Sequence, residues 1–282
     1  MKGKKVKKIT DIPFLPIEFF KQEKIICKAK PIEKIFLSSG TTGNRSKHLV
    51  SDLSMYKTSF RNAFTQFYGN VKDYCILALL PSYLENEDSS LIYMVNDLIK
   101  RSKHQKSGFY IDNLKNLFVT IKDLEQKRQQ TILFGVTYAL IDFAKQYPIP
   151  LKHTIIMETG GMKGKRKKLL KEEVHAILKS AFELRYVHSE YGMAEILSQA
   201  YSKKEGIFKT PSWMKVIIRD ITDPFSFIKN KTGCINIIDL ANIYSCPFIA
   251  TQDLGKVFND GSFSVLGRLK DADIRGCNLL IQ

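Results

Sequence analysis

Short apolar runs alternate with longer amphipathic stretches along the first two thirds of the chain. KIFL (34–37), CILALL (75–80), TILFG (131–135) and HTIIMET (153–159) read as buried strands. Between them, residues 54–69, 89–103, 112–129, 136–147 and 165–180 carry apolar positions at helical spacing. Strands that alternate with helices predict an α/β fold whose mostly parallel sheet is covered on both faces.

After about residue 183 the pattern turns to strands: LRYVHSEY, WMKVIIRD, GCINIIDL and KVFNDGSFSVLG. In the last of these, Asn259, Asp260 and Gly261 supply a hairpin turn between two short strands. The expected organisation is an α/β region over 1–182 followed by a β-rich subdomain over 183–282. No internal repeat and no low-complexity linker interrupts it.

At 282 residues the chain can build one large domain or two small ones. No stretch approaches the roughly 18 consecutive apolar residues of a membrane span. The basic N-terminus MKGKKVKKITDIP lacks the apolar core and cleavage site of a signal peptide. Five cysteines, Cys27, Cys75, Cys234, Cys246 and Cys277, are scattered without a CxxC and without histidines at metal-ligand spacing. An odd count without an export signal predicts a reducing cytoplasm, where each cysteine is either a buried filler or a working thiol.

A formal charge of +16 raises the question of nucleic acid. The charge has two foci, the leader (Lys2, Lys4, Lys5, Lys7, Lys8) and the run 163–171 with Lys165, Arg166, Lys167 and Lys168. The first reads as a solvated tail. The second continues into LLKEEVHAILKS and reads as the exposed start of an amphipathic helix. Neither is interleaved with aromatics as single-strand binders require, so nucleic acid is not the expected partner.

The strongest chemical signal is KIFLSSGTTGNRSKH, an apolar strand running into six small residues and then basic ones. Gly40 and Gly43 let the backbone bring N–H groups close to phosphate oxygens, and Ser38, Ser39, Thr41 and Thr42 add hydroxyls. Arg45, Lys47 or His48 can supply charge. The other reading is a glycine-bearing polar surface loop. The segment is not GxxxxGK[ST], because Lys47 follows Gly43 by four residues with no Ser or Thr after it; TGGMKGKRK (159–167) misses that spacing by one residue.

In YVHSEYGMAE (186–195), Tyr191 can stack on a purine and Glu195 can reach a phosphate-bridging magnesium ion, although a Tyr-Gly turn before a helix-starting Glu is also common. In FIATQDLGKVF and VLGRLKDADIRG, Asp253 ends a strand and can bind a ribose diol, with Arg268, Lys270 and Asp271 beyond a hairpin. Taken singly, each is as well explained by a charge at a solvent-facing strand end.

Together and in this order, the segments resemble the adenylate-forming superfamily of acyl-CoA synthetases, firefly-type luciferases and peptide-synthetase adenylation domains. SSGTTG is similar to that superfamily's phosphate loop, YGMAE to its adenine and magnesium motif, and TQDLG with GRLKD to its ribose and hinge motifs. Ordered matches are far more specific than any lone motif. A narrower likeness is to the acyl-protein synthetases of the bacterial bioluminescence fatty-acid reductase system, also called long-chain-fatty-acid:luciferin-component ligases. It runs from DIPFLPIEFFK (11–21) through SSGTTGNRSKH, LPSYLENEDSSL (80–91) and METGGMKGKRK to IRGCNLL.

The resemblance implies the N-terminal-type domain of an adenylate-forming enzyme: mixed, mostly parallel sheets, flanking helices and a β-rich C-terminal part, without the mobile C-terminal domain. It implies ATP and magnesium, a fatty or other carboxylic acid activated as acyl-AMP, and transfer to the Cys277 thiol as a thioester, from which a reductase partner takes the acyl group. Phosphate contacts would come from Ser38, Ser39, Gly40, Thr41, Thr42 and Gly43. Gly160 and Gly161 would shape the adenine edge, with the platform at Tyr191 and Gly192. Magnesium or phosphate falls to Glu195, ribose to Asp253 and Arg268, the hinge to Asp271 and the acyl group to the vicinity of Ser82 and Tyr83.

Full-length superfamily members continue past the hinge into a domain bearing an adenylation lysine, whereas this chain stops eleven residues after Asp271. Either Lys47 or Lys270 then substitutes, or adenylation is slow or needs a partner. Arg275 can lower the titration point of Cys277, whose alternative role is a small buried residue in a last strand, CNLLI. Other readings pass acyl-AMP to coenzyme A or a carrier protein, or keep the fold as a catalytically impaired nucleotide- or nucleic-acid-binding relative.

Overall fold

The runs around residues 75–80 and 131–135 become buried strands in the computed structural model, which describes residues 6–27, 30–39, 45–82, 84–160 and 169–269. In chain order the strands are β1 (Leu15–Pro16), β2 (Lys34–Leu37), β3 (Lys47–Val50), β4 (Cys75–Leu79), β5 (Gly108–Phe109), β6 (Thr131–Val136), β7 (Thr154–Thr159) and β8 (His188–Tyr191). They continue as β9 (Ala200–Ser202), β10 (Ile207–Lys209), β11 (Met214–Arg219), β12 (Phe227–Ile228), β13 (Gly233–Asp239), β14 (Phe248–Val257) and β15 (Phe263–Arg268). The helices are α1 (Phe19–Gln22), α2 (Leu53–Tyr68), α3 (Ser90–Ser102), α4 (Leu114–Gln126), α5 (Thr137–Gln146) and α6 (Lys171–Phe182).

Two compact units divide the chain, one of residues 57–194 and 199–208, the other of the described residues in 1–56, 195–198 and from 209 on. In the first, β5, β4, β6, β7 and β8 lie parallel in that order, and β9 pairs antiparallel with β8. All five residues of β4 are buried. Side chains alternate along a strand, so Cys75, Leu77 and Leu79 share a face. They pack with Leu117, Ile121 and Leu124 of α4, Leu140 and Phe143 of α5, and Val174, Leu178 and Phe182 of α6. Each helix presents an apolar stripe at spacings of three and four, and each buried large side chain contributes about 1.5–3 kcal/mol. Caps fix where the helices begin: the Ser89 hydroxyl accepts from Ile92 N at 3.3 Å and Asn113 Oδ1 accepts from Asn116 N at 2.9 Å.

In the second unit, β12, β11, β13, β14 and β15 form an antiparallel run, and β1 adds parallel to β14. Every residue of β13 is buried. The turn expected at Asn259–Gly261 is present, with Gly261 at φ +80° and Phe258 N donating to Ser262 O at 2.8 Å. The strand entering it, β14, is ten residues long rather than short. A register shift falls between Leu254 and Gly255, where a side chain on Gly255 would collide with the Ser264 carbonyl.

KIFL departs from its expected place in a parallel sheet. As β2 it pairs antiparallel with β3 in a separate two-stranded sheet, from Lys34 opposite Val50 to Leu37 opposite Lys47, and only Phe36 of its four residues is buried. The connection 38–46 is shorter than the dozen or so residues a parallel crossover needs, and a strand so connected returns beside its neighbour.

Candidate active site

The neck of the β2–β3 connection is closed by two serines. Ser38 N donates to Ser46 O at 3.0 Å, Ser46 N donates to Ser38 Oγ at 3.0 Å, and Arg45 Nε donates to Ser38 O. Ser39 and Lys47 are exposed, Ser46 is buried, and Gly40, Thr41, Thr42 and Gly43 lie outside the described residues. His48 is not a surface cation: it is fully buried, with its ring edge-on to Phe20 at 5.6 Å.

Glu195 belongs to the same unit as this neck. Its carboxyl is buried and hydrogen-bonded to the Ser46 side chain. Burial pushes its titration above the ordinary carboxylate range, opposed first by the Ser46 side chain, then by a bond to its own backbone N–H and then by the charge of Arg268. Asp253, also buried, accepts from Arg268 Nε at 3.2 Å, the two standing opposite each other across β14 and β15. The motif residues Ser38, Glu195, Asp253 and Arg268 are thus brought into one unit, with Glu195 feeling the charges of both Asp253 and Arg268.

The segment after Glu195 is held from below by the end of β13. Asp239 accepts from Leu197 N at 2.7 Å, Ser198 N at 3.1 Å and Ser198 Oγ at 2.5 Å. Three residues on, Asn242 Nδ2 donates to Glu195 O at 2.9 Å and to Cys246 O at 3.0 Å, while its Oδ1 lies 3.0 Å from His48 Nε2.

Gly160, Tyr191 and Gly192 belong to the other unit, at the C-terminal ends of the parallel β7 and β8, where open α/β sheets bind ligands. Tyr191 is buried with its ring edge-on to Phe208 at 5.9 Å. Beneath this end sit two buried carboxyls. Thr137 Oγ1 donates to Glu158 Oε1 at 2.6 Å, and Glu190 is pushed up to about 8, first by burial and then by the charge of Glu158. Lys171 is lowered by burial and holds its ammonium 4.3 Å from the Phe208 ring centre. A Cβ on Gly160 would meet nothing within 4 Å among the described residues. Ser82 accepts from Glu85 N and Asn86 N, each at 3.2 Å, in a half-buried turn. Tyr83, Gly161, Asp271 and Cys277 lie outside the described residues, as does Lys270.

A family model described as acyl-protein synthetase, LuxE, matches residues 4–282. The chain belongs to the acyl-protein synthetase family. No curated protein matches it in sequence. Among solved structures it is similar to ATP-bound MatB from Rhodopseudomonas palustris, at 16% identity and a TM-score of 0.65 over 87% of this chain and 50% of that one. It is also similar to a luciferase-like enzyme from the nonluminescent mealworm Zophobas morio, at 15% identity and a TM-score of 0.59 over 86% of this chain and 59% of that one. O-succinylbenzoate coenzyme A synthetase (MenE) from Bacillus subtilis, in complex with ATP and magnesium, shares 16% identity at a TM-score of 0.57 over 86% of this chain and 51% of that one. The chain spans between half and three fifths of the length of these structures, and the likeness shows the α/β fold of adenylate-forming enzymes.

In this chain the motifs find residues in or near strands but miss the ones that hold them. Ser46, Asp239 and Asn242 carry no sequence signature beyond being polar residues next to apolar strands. Their partners lie far away along the chain, His48 and Asn242 being 194 residues apart.

Proposed function

We propose that the chain activates a carboxylic acid, with fatty acids the favoured class, as acyl-AMP at the expense of ATP, and then accepts the acyl group on Cys277. The observation that carries this reading is the gathering of Ser38, Ser46, Glu195 and the bonded Asp253–Arg268 pair in one unit, where the Ser46 side chain acts on the Glu195 carboxyl. It ties the purine-and-metal motif to the neck of the phosphate loop, beside the paired Asp253 and Arg268.

The residues suit a magnesium nucleotide. Among the described residues nothing stands within 4 Å of a Cβ placed on Gly160, and Glu195 is a buried oxygen donor whose charged form needs a compensating cation. Among the described residues no three His, Cys, Asp or Glu side chains gather into a metal cluster, and magnesium commonly takes one or two carboxylates plus phosphate oxygens. Glu195 is the residue that would hold it. Bound there, the ion would offset negative charge on the phosphates.

The chain's own residues do the rest. By the motif resemblance, the loop 38–43 and the exposed Lys47 would receive the phosphates, Tyr191 and Gly192 would meet the adenine, and Asp253 with Arg268 would hold the ribose. The acid's oxygen attacks the α-phosphorus, the bond to the β-phosphate oxygen breaks and pyrophosphate leaves. Positioning and fixed charge supply the acceleration. The Cys277 thiolate then attacks the acyl carbonyl, AMP departs and a thioester remains, ready for a reductase, coenzyme A or a carrier-protein thiol.

Acid-dependent exchange of labelled pyrophosphate into ATP tests the first half-reaction. Labelled fatty acid bound to the protein in a hydroxylamine-labile form, and lost in Cys277→Ser, tests the second. Exchange without labelled protein would favour direct transfer to another thiol; no exchange would leave only nucleotide binding.

A further inference from the structure

The adenylate reading gives Glu195 a task without saying what sets its position. We infer that Asn242, backed by His48, is the positioning residue for Glu195. This inference rests on the adenylate reading, adds a role to Asn242, which no motif contains, and gives His48 a role other than that of a charge beside the phosphates.

The hydrogen bonds themselves fix the roles. Asn242 Nδ2 faces two carbonyl oxygens, those of Glu195 at 2.9 Å and Cys246 at 3.0 Å, so this end of the amide must be the donor. Its Oδ1 is then the acceptor, and His48 Nε2 at 3.0 Å must carry the proton that it accepts. With Asn242 1% and His48 0% exposed, water cannot replace either bond without a change in packing.

Ser46 and His48 are two residues apart where β3 begins, so they share a face of the strand. Ser46 holds the Glu195 carboxyl directly, and His48 holds the Glu195 main chain through Asn242. The strand that leaves the phosphate loop therefore grips Glu195 at both its side chain and its backbone. Displacement of the start of β3 and displacement of Glu195 are coupled by these contacts. A group of this kind, behind a metal-binding carboxylate, commonly changes metal affinity by about 10–100-fold when removed.

Equilibrium binding of ATP to the full chain, measured by titration calorimetry in magnesium and again in EDTA, tests the inference. Asn242→Ala and His48→Leu are expected to bind magnesium-ATP about tenfold more weakly while binding metal-free ATP as the wild type does. His48→Gln is expected to keep wild-type affinity, because its side-chain amide returns a donor to Asn242 Oδ1. Glu195→Gln is the reference and must show the same magnesium-selective loss.

If Glu195→Gln shows that loss while Asn242→Ala and His48→Leu match the wild type, the positioning role is overturned and the adenylate reading stands. Equal weakening with and without magnesium marks a merely structural part and also overturns it. A wild type that binds no magnesium-ATP, or a Glu195→Gln that behaves as wild type, removes the adenylate reading and the inference together. Should Asn242→Ala fail to fold, the His48 pair decides: equal binding by the Leu and Gln variants overturns the inference.

Discussion

Glu190 fills the space that a side chain on residue 192 would need: its Oε1 lies well inside contact distance of where a Cβ of Gly192 would stand. The carboxyl from the preceding strand folds underneath Gly192. The Tyr191–Gly192 turn thus rests on a buried acid. Gly192→Ala forces that acid aside and is expected to destabilise the protein by about 1–3 kcal/mol, as overpacking does. In a double-mutant cycle with Glu190→Ala, urea-unfolding midpoints should show that the second change recovers part of the loss. Additive losses would mean that the two residues do not compete for the same space.

The same acid sets a pH dependence. Glu190 titrates at 4.5 in an exposed chain and near 8 in the folded protein, raised by burial and then by Glu158. Between those values the folded state holds a proton that the unfolded state has released. Linkage then requires stability to fall as pH climbs from 4.5 to 8, and to level off above. The loss is on the order of a few kcal/mol. Glu190→Gln cannot ionise and should flatten this part of the profile, measured as urea midpoints from pH 5 to 9. A variant whose profile is as steep as the wild type's would assign the dependence to another group.

Much of the architecture was legible because it depends on neighbours in sequence. Buried strands such as CILALL announce themselves by composition, and the amphipathic helices by spacing. Glu195, Asp253 and Arg268 each sit in a short motif, although Asp253, expected to end a strand, lies within the ten-residue β14, which continues to Val257. KIFL misled because its composition matches a central strand while its partner is fixed by the short loop that follows. His48 looked like a loop cation from its position after Lys47; its burial depends on Phe20 and Asn242, which lie on either side of it at long range. Glu190 was passed over between Ser189 and Tyr191 because a carboxylate on a strand ordinarily faces water. Its burial follows from the antiparallel pairing of β8 with β9, which covers Glu190 opposite Tyr201.

Arg219 offers a test of how the Asp253 strand is supported. Its guanidinium donates to Ile235 O at 3.2 Å, Asn236 Oδ1 at 2.5 Å and Thr251 O at 2.7 Å, tying β11 to β13 and β14. Thr251 Oγ1 in turn accepts from Asp253 N at 3.1 Å. Arg219→Met leaves these acceptors without their donor and is expected to cost about 2–4 kcal/mol. The urea midpoint should fall with an unchanged slope, and ATP affinity should weaken with it if Thr251 transmits the shift to Asp253. Arg219→Lys, which reaches as a point donor without the planar fork, should recover only part of the loss.

In the proposed reaction the cysteines decide where the acyl group can rest. A thioester forms from a thiolate, so a thiol whose titration is raised by burial is a poor acceptor near neutral pH. Among the described cysteines, Cys75 is pushed up to about 11 by burial, and burial also raises Cys234 and Cys246. Cys27 is exposed, with its thiol beside the carbonyls of Ile243 and Ser245. These features leave Cys277 and Cys27 as the sites to compare, and the family resemblance favours Cys277. Peptide mapping of protein labelled with a radioactive fatty acid, ATP and magnesium should place the label on Cys277. Cys27→Ser should retain full labelling and Cys277→Ser should lose it, with pyrophosphate exchange preserved in both, since adenylation precedes the thiol step. Label recovered on Cys27 would move the acceptor to the opposite end of the chain. Label lost together with exchange in Cys277→Ser would show that this residue serves adenylation itself.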